Sequence, residues 1–332
     1  MPGLYVFETG SRLEVEYERI LVTLEDEVLF RTRLDQVSHV VLLGRVGMTT
    51  PAIHALLARE IPVFFLSSGG RLLGRLTGPS GLNVALRQFQ HQRDADAEFS
   101  LHLARSIVTG KIRNQVFLAR RWLRRNRMIN DPKLADLCRL QQGVETSPSL
   151  ETLLGVEGAA AHAYFGIYRD LFDPAWGFRS RNRRPPRDPI NALLSLGYTL
   201  LHCSLCAALE IVGLDPYLGY YHTEQYGRPA LALDLEEEFR APVVDSLVLN
   251  IVNHRILRPE HFTPQGDEPG TWLTGRGRRI FLRQFHKKML SQVKIRELER
   301  SLSYQKLFEV QARRIAHVIE GREPVYQPFR IR

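Results

Sequence analysis

An α+β fold is predicted for this chain, with a small β-rich domain at the N-terminal end and a larger all-α domain after it. Three observations predict it. Residues 1–77 alternate apolar and polar with a period of two, residues 78–95 break that composition, and from about residue 96 apolar residues recur with the helical period. The expected boundaries are therefore 1–77 for the β-domain, 78–95 for a linker and 96–332 for the helical domain.

In RLEVEYERILVTLEDEVLFRT, Leu13, Val15 and Tyr17, then Ile20, Val22 and Leu24, then Val28 and Phe30 mark short half-buried strands. VSHVVLL (37–43) is more continuously apolar, as a central strand would be. Thr50 followed by Pro51 marks a helix start, with the cap before and proline in the first turn, and AIHALLARE continues it. IPVFFLSSGGRLLGRL returns as two strands around Gly69 and Gly70, so SSGGRLLG reads as a hairpin and not as a phosphate loop.

Residues 98–125 read as one long helix with a basic end at Arg120, Arg121, Arg124 and Arg125. LLGVEGAAAHAYFGIYRDLF (153–172) is another, with Val156, Ala160, Ala163, Tyr164 and Ile167 on one side. RSRNRRPPRDP (179–189) is a proline-broken arginine loop, and Asp188 and Pro189 start a long apolar helix that ends near Gly213. A helix over about 234–256 has Leu235, Phe239, Val243, Leu247 and Ile251 as its core stripe, and Pro242 should kink it. A polar loop around PQGDEPG follows, and residues 278–320 supply one or two basic helices.

Of the 332 residues 44% are hydrophobic and 24% charged, an ordinary globular balance. The formal net charge is +9, mostly from arginine, whose planar bidentate contacts suit phosphate. That favours a nucleic-acid partner over a small anionic substrate, against the plainer reading of a basic protein with no such partner. Cys138, Cys203 and Cys206 make no disulfide framework and suit a reducing cytoplasm. The CxxC in GYTLLHCSLCAALEIVG has no second pair to complete a zinc site and reads as buried helix cysteines. MPGLYVFETG lacks a signal-peptide pattern, and no stretch of about 18 apolar residues is found, so no membrane partner is expected. GxxxxGK[ST], GxGxxG and GxSxG do not occur.

The stretch HTEQYGRPALALDLEEEFR (222–240) carries the strongest chemical signal. Asp234, Glu237 and Glu238 share a helix face, which a solvated, acid-started surface helix would also explain. His222, in a turn-rich segment 15 residues before Glu237, could face these carboxylates across a divalent cation or be plain polar surface. Glu157 lies among small and apolar residues, where a carboxylate must be paired, protonated or metal-bound, and a structural salt bridge serves as well as a metal. His162 lies about 140° round the helix from it and is not grouped with it. Three ligands would serve a metal-dependent phosphodiester reaction, and Arg179, Arg181, Arg183, Arg184 and Arg187 could hold the polyanion.

Taken together, LLGVEGAAAHAYFG, RNRRPPRDPINALLSLGYTLL and H-x₅-R-P-x-L-x-L-D-L-x-E-E-F-R resemble the CRISPR-associated adaptation integrase, the nuclease-fold subunit of the two universal Cas adaptation proteins. The resemblance covers nearly the whole chain. It implies that Glu157, His222 and Glu237 are the catalytic metal ligands, for Mg²⁺ or Mn²⁺, in the helical domain. It places Tyr164 and Asn191 close to the site, makes Arg228 and Arg240 phosphate or supporting contacts, and lets Asp234 hold a ligand or a water. Glu236 stands where family members have methionine, which adds a charge beside the site.

The implied reaction joins the 3′-hydroxyl of a captured DNA fragment to a phosphodiester at a repeat border, and in reverse resolves branched DNA. The implied partners are double-stranded and branched DNA, a second copy through the β-domain, and the small second adaptation protein, two dimers of this chain flanking one dimer of it. A branched-DNA nuclease of repair and a non-catalytic DNA scaffold remain as alternatives.

Overall fold

The computed structural model describes residues 2–78, 83–128, 130–182, 185–222, 227–265, 268–295 and 299–331. Strands β1 (Leu4–Val6), β2 (Arg12–Glu16), β3 (Arg19–Leu24), β4 (Glu27–Arg33), β5 (Val40–Leu43) and β6 (Gly47–Met48) lead into helix α1 (Thr50–Ala58), then β7 (Val63–Leu66) and β8 (Leu72–Leu76). They form two four-stranded sheets, ordered β4-β3-β2-β6 and β1-β5-β7-β8. RLEVEYERILVTLEDEVLFRT supplies the antiparallel meander β2-β3-β4, with Leu13 opposite Val22 and Val22 opposite Phe30.

In the other sheet β1, β5 and β7 run parallel and β8 antiparallel. Its alternation divides two cores. Val40, Leu42 and Val63 join a small core with Leu13, Ile20 and Leu56, while Val41, Leu43, Phe64 and Leu66 enter the large core of the helical part. A sheet covered on both faces needs apolar residues at every position, which is what VVLL and VFFL provide. Thr49 Oγ1 accepts from Ala52 N at 3.3 Å, so the α1 cap precedes Thr50 and leaves Pro51 in the first turn. The predicted hairpin is β7–β8, and Gly70 takes the positive φ of 81° that its turn requires.

Within the segment read as a linker, residues 84–94 form helix α2 (Val84–Asp94). It is docked, because buried Gln90 accepts from Asp215 N at 2.9 Å and donates to Asp215 O at 2.8 Å. Buried Leu86 and these polar bonds hold down a helix in a segment expected to be a linker. Helices α3 (Ala97–Arg125), α4 (Pro132–Gly143), α5 (Leu150–Arg169) and α6 (Pro189–Val212) follow. Asp96, Asp131, Ser149 and Asp188 cap them, each side chain accepting from a first-turn amide. The sequence reading left α4 unassigned.

By length and composition α6 could cross a membrane, contrary to the expectation that no stretch is apolar enough. Within its 18-residue window 78% is buried inside the protein, as befits the central helix of a core.

The single helix expected over 234–256 is three pieces. Helix α7 (Ala230–Phe239) passes into a π-helical turn, Arg240–Asp245, before α8 (Ser246–Asn253). Pro242 lies inside that wider turn, which accommodates a ring and a missing N–H that a regular α-helix would not. Strands β9 (Phe262–Gln265) and β10 (Glu268–Leu273), helix α9 (Gly275–Leu290), strands β11 (Gln292–Ile295) and β12 (Arg300–Ser303) and helix α10 (Tyr304–Ile319) complete the chain. The predicted α+β class holds, with two short hairpins added within the helical part.

Candidate active site

Helix α7 carries the acidic run, and it is no solvated face. Asp234 is 0% exposed and Glu236, Glu237 and Glu238 at most 2%. Successive residues on a helix point about 100° apart, so the buried acids face different surroundings, although Glu236 and Glu237 share Arg240.

Asp234 Oδ2 accepts from Tyr220 N at 2.7 Å and Tyr221 N at 3.0 Å, and Oδ1 from His222 N at 2.9 Å. Oδ1 also lies 2.8 Å from His222 Nδ1. A carboxylate there accepts a hydrogen bond from Nδ1–H and turns Nε2 towards Glu237, 3.8 Å from its Oε1. Asp234 thus holds His222, and among the described residues its hydrogen-bond partners lie on the His222 turn.

Glu236 Oε1 accepts from Arg240 Nε at 2.9 Å, and its Oε2 lies 3.3 Å from His202 Nδ1. The charge added at this position is therefore answered from both sides. Burial raises the Glu236 carboxyl pKa, but Arg240 and His202 outweigh it and the net shift is downward. Glu238 faces away from the site. It binds the C-terminal tail, accepting from Tyr326 Oη at 2.5 Å and from Phe329 N.

Glu237 meets Arg240 Nη1 at 3.0 Å and Lys111 Nζ at 2.5 Å. The ammonium also touches Glu157 Oε1, so two carboxylates from α5 and α7 converge on one nitrogen of α3. Burial pushes the Glu237 carboxyl up, but Arg240, Lys111 and His222 hold it down at about 2. Its buried Oε2 is the oxygen that faces the ammonium. Glu157 is 19% exposed and forms the open side of the pair, while Lys111 is 7% exposed. On either side of Glu157 on α5, Gly155 and Gly158 have nothing within 4 Å of where a Cβ would stand.

Among the described residues no three His, Cys, Asp or Glu side chains are close enough together to hold a metal ion as they stand. The donor chemistry nonetheless fits a hard divalent ion. Two carboxylates already converge on one cation, and an imidazole nitrogen faces one of them. Glu157, His222 and Glu237 are the residues that would hold it.

Tyr164 lies two turns beyond Glu157 on α5, but its hydroxyl donates to Asp245 Oδ2 at 2.8 Å, away from the carboxylate pair. Tyr198 donates to the other oxygen at 2.5 Å, and Tyr168 to the Asp245 carbonyl at 2.9 Å. Burial raises the Asp245 carboxyl to about 6 against the pull of these hydroxyls. The Arg181 and Arg240 guanidiniums stack on the Tyr198 ring, at 5.4 and 5.2 Å from its centroid.

Asn191 is fully buried and fastens the arginine loop, accepting from Arg181 Nη1 at 2.8 Å and Asn182 N at 3.0 Å. Arg181 therefore turns inward, whereas Arg179 and Arg187 are exposed. Arg228 is half-buried beside Gly227, and Arg183 and Arg184 lie outside the described residues.

Lys111, Tyr198, His202 and Asp245 were missed in the sequence. Lys111 carried a signal, since it continues the buried stripe Ile107, Lys111, Gln115 at a spacing of four. A lysine in such a stripe needs an anion.

The family model for CRISPR associated protein Cas1 matches residues 4–287. The chain is 36% identical over 332 residues to a CRISPR-associated endonuclease Cas1 of Thermus thermophilus, covering 99% of this chain and 97% of that one. It is 39% identical over 337 residues to a CRISPR-associated exonuclease Cas4/endonuclease Cas1 fusion of Geobacter sulfurreducens, covering 99% of this chain. The chain spans only 59% of that fusion's length, and 57% of a second such fusion's, from Rhodospirillum rubrum. Among solved structures, a CAS1 protein from Thermotoga maritima superposes with a TM-score of 0.84 at 25% identity, covering 98% of both chains. A Cas6-RT-Cas1–Cas2 complex contains a chain with a TM-score of 0.84 at 26% identity, covering 99% of this chain and 36% of that one. The protein belongs to the Cas1 family.

Proposed function

We propose that this chain is a metal-dependent DNA endonuclease and integrase of CRISPR adaptation, joining the 3′-hydroxyl ends of captured fragments to a repeat border. The observation that carries the reading is the convergence of Glu157 and Glu237 on one cationic nitrogen, with Nε2 of His222 turned to Glu237. A bound Mg²⁺ or Mn²⁺ would neutralise charge developing on a phosphate oxygen and activate the attacking or leaving oxygen. The protein's own part is positional. Asp234 fixes the imidazole, Arg240 keeps Glu237 ionised, and the small residues beyond Glu157 leave room for a DNA backbone.

Exposed Arg179 and Arg187 support contact with the backbone phosphates. Edge strand β4 exposes Val28, Leu29 and Phe30 by 42–49%, which supports pairing of two copies through the β-rich part. The Cas1–Cas2 complex among the structural relatives supports the small second adaptation protein as partner.

The test is a strand-transfer assay with a repeat-bearing plasmid, a DNA fragment and the small partner. Glu157→Ala, His222→Ala and Glu237→Ala should each abolish joined product with the fold intact. Wild-type-like joining by any of them refutes the site, and cleavage of branched DNA without joined product favours a repair nuclease.

A further inference from the structure

We propose that Lys111 is the resident counter-cation of this site. Its ammonium holds Glu157 against Glu237 while no divalent ion is present, and an ion must displace it to bind. The inference rests on the metal-site reading above and adds a residue that sets how tightly the site loads.

Glu157 and Glu237 come from helices 80 residues apart in sequence, and both reach the same Lys111 nitrogen. Without a cation between them the two carboxylates would repel, one of them almost fully buried. An ammonium sits about 2.7–2.9 Å from carboxylate oxygens, and a small divalent ion coordinates the same oxygens at about 2.0–2.1 Å. The two cations therefore claim one position and exclude each other. Arg240 takes the other Glu237 oxygen, Oε1, at 3.0 Å, and so leaves the Oε2 position to Lys111.

The framework around Lys111 does not depend on its charge. Its neighbour Gly110 lies so close to the tail that an added Cβ would stand 2.5 Å from Pro328. One turn on, Asn114 Nδ2 donates to Glu238 O at 2.8 Å and Phe329 O at 3.0 Å. Helices α3 and α7 are thus fastened together by packing and neutral hydrogen bonds, and removing the ammonium leaves that spacing in place. The exposed flank of Glu157 gives an incoming ion its path and the displaced side chain its exit.

The experiment is Mn²⁺ binding to the intact protein without DNA, followed by the electron paramagnetic resonance of free Mn²⁺. Wild type, Lys111→Met, the milder Lys111→Gln and Glu157→Gln are compared, with melting temperatures in EDTA and in Mn²⁺. Both Lys111 variants should bind Mn²⁺ at least about tenfold more tightly than wild type. They should melt lower than wild type in EDTA and regain that loss in Mn²⁺. Binding should fail in Glu157→Gln, which places it at this site. Mn²⁺ affinity in the Lys111 variants equal to or weaker than wild type overturns the inference and leaves the metal reading standing. Absence of binding in wild type and Lys111 variants alike overturns both.

Discussion

Asp234 Oδ1 lies 2.8 Å from His222 Nδ1, and the same buried carboxylate accepts the backbone N–H groups of Tyr220, Tyr221 and His222. One group fixes both the turn that carries the imidazole and the face the ring presents. In Asp234→Asn the oxygen can serve Tyr220 and Tyr221, but the amide nitrogen then meets His222 and moves the ring proton to Nε2. The expected result is a loss of strand transfer of about 10–100-fold, with a stability loss of only about 1–2 kcal/mol. Asp234→Ala strands three amides and should lose more stability. Joining rates beside urea melts separate the two effects, and an undiminished rate in Asp234→Asn rejects the orienting role.

Glu236 stands between His202 and Arg240, all three being largely withdrawn from solvent. Glu236→Met restores the residue expected from the family resemblance but leaves His202 and Arg240 each short of an acceptor. The single variant should lose about 3–5 kcal/mol, the range for breaking a buried pair from one side. Adding His202→Leu should recover part of it, with a coupling above about 1 kcal/mol in a double-mutant cycle. Losses that simply add would mean the pair carries no energy of its own.

Asp245 gives a pH dependence of definite sign. Burial raises its carboxyl from the ordinary aspartate value to about 6. The folded state therefore holds the proton more tightly than the unfolded chain. This group's contribution is full below about pH 4 and is lost as pH climbs through about 6. A shift of that size corresponds to about 3 kcal/mol. Asp245→Asn removes the dependence, so its stability relative to wild type should improve by about that amount from pH 4 to pH 8. Chemical denaturation at several pH values measures this, and parallel curves for the two proteins would contradict it.

Gly110 is a test of packing. An added Cβ would stand 2.5 Å from Pro328 Cβ and 3.0 Å from its Cγ, so Gly110→Ala must push the C-terminal tail outward. Overpacking of this kind costs about 1–3 kcal/mol. The displaced tail would also withdraw Tyr326 and Phe329 N from Glu238. Limited proteolysis should then cleave near residues 322–331 before the rest of the chain, and a variant as resistant as wild type would show that the tail yields freely.

How far the sequence could be read depended on whether a feature was local. The meander β2-β3-β4, the Thr49–Pro51 helix start and the Asp188 cap were legible because alternation and capping involve neighbours in the chain. Helix α2 was not, since a single core leucine, Leu86, and a glutamine bonded to residues more than 120 positions away help hold it to the fold. Pro242 announced an irregularity without saying which kind, and the π-helical turn is the form that packing against Tyr164, Tyr168 and Tyr198 selected.

Residue type and spacing by themselves determined the α+β class and the basic character, which follow from hydrophobic periodicity and side-chain charge. The short list Glu157, His222 and Glu237 came from the motifs the chain shares with its family, since spacing alone left the acids of 234–238 and the role of His222 open. Only the tertiary structure decided that the acids of α7 are all buried, that Asp234 holds the histidine, that Arg181 turns inward and that Lys111 lies between the two glutamates. A charge is indifferent to its surroundings until folding removes the water around it, and only three-dimensional proximity decides which opposite charge replaces that water.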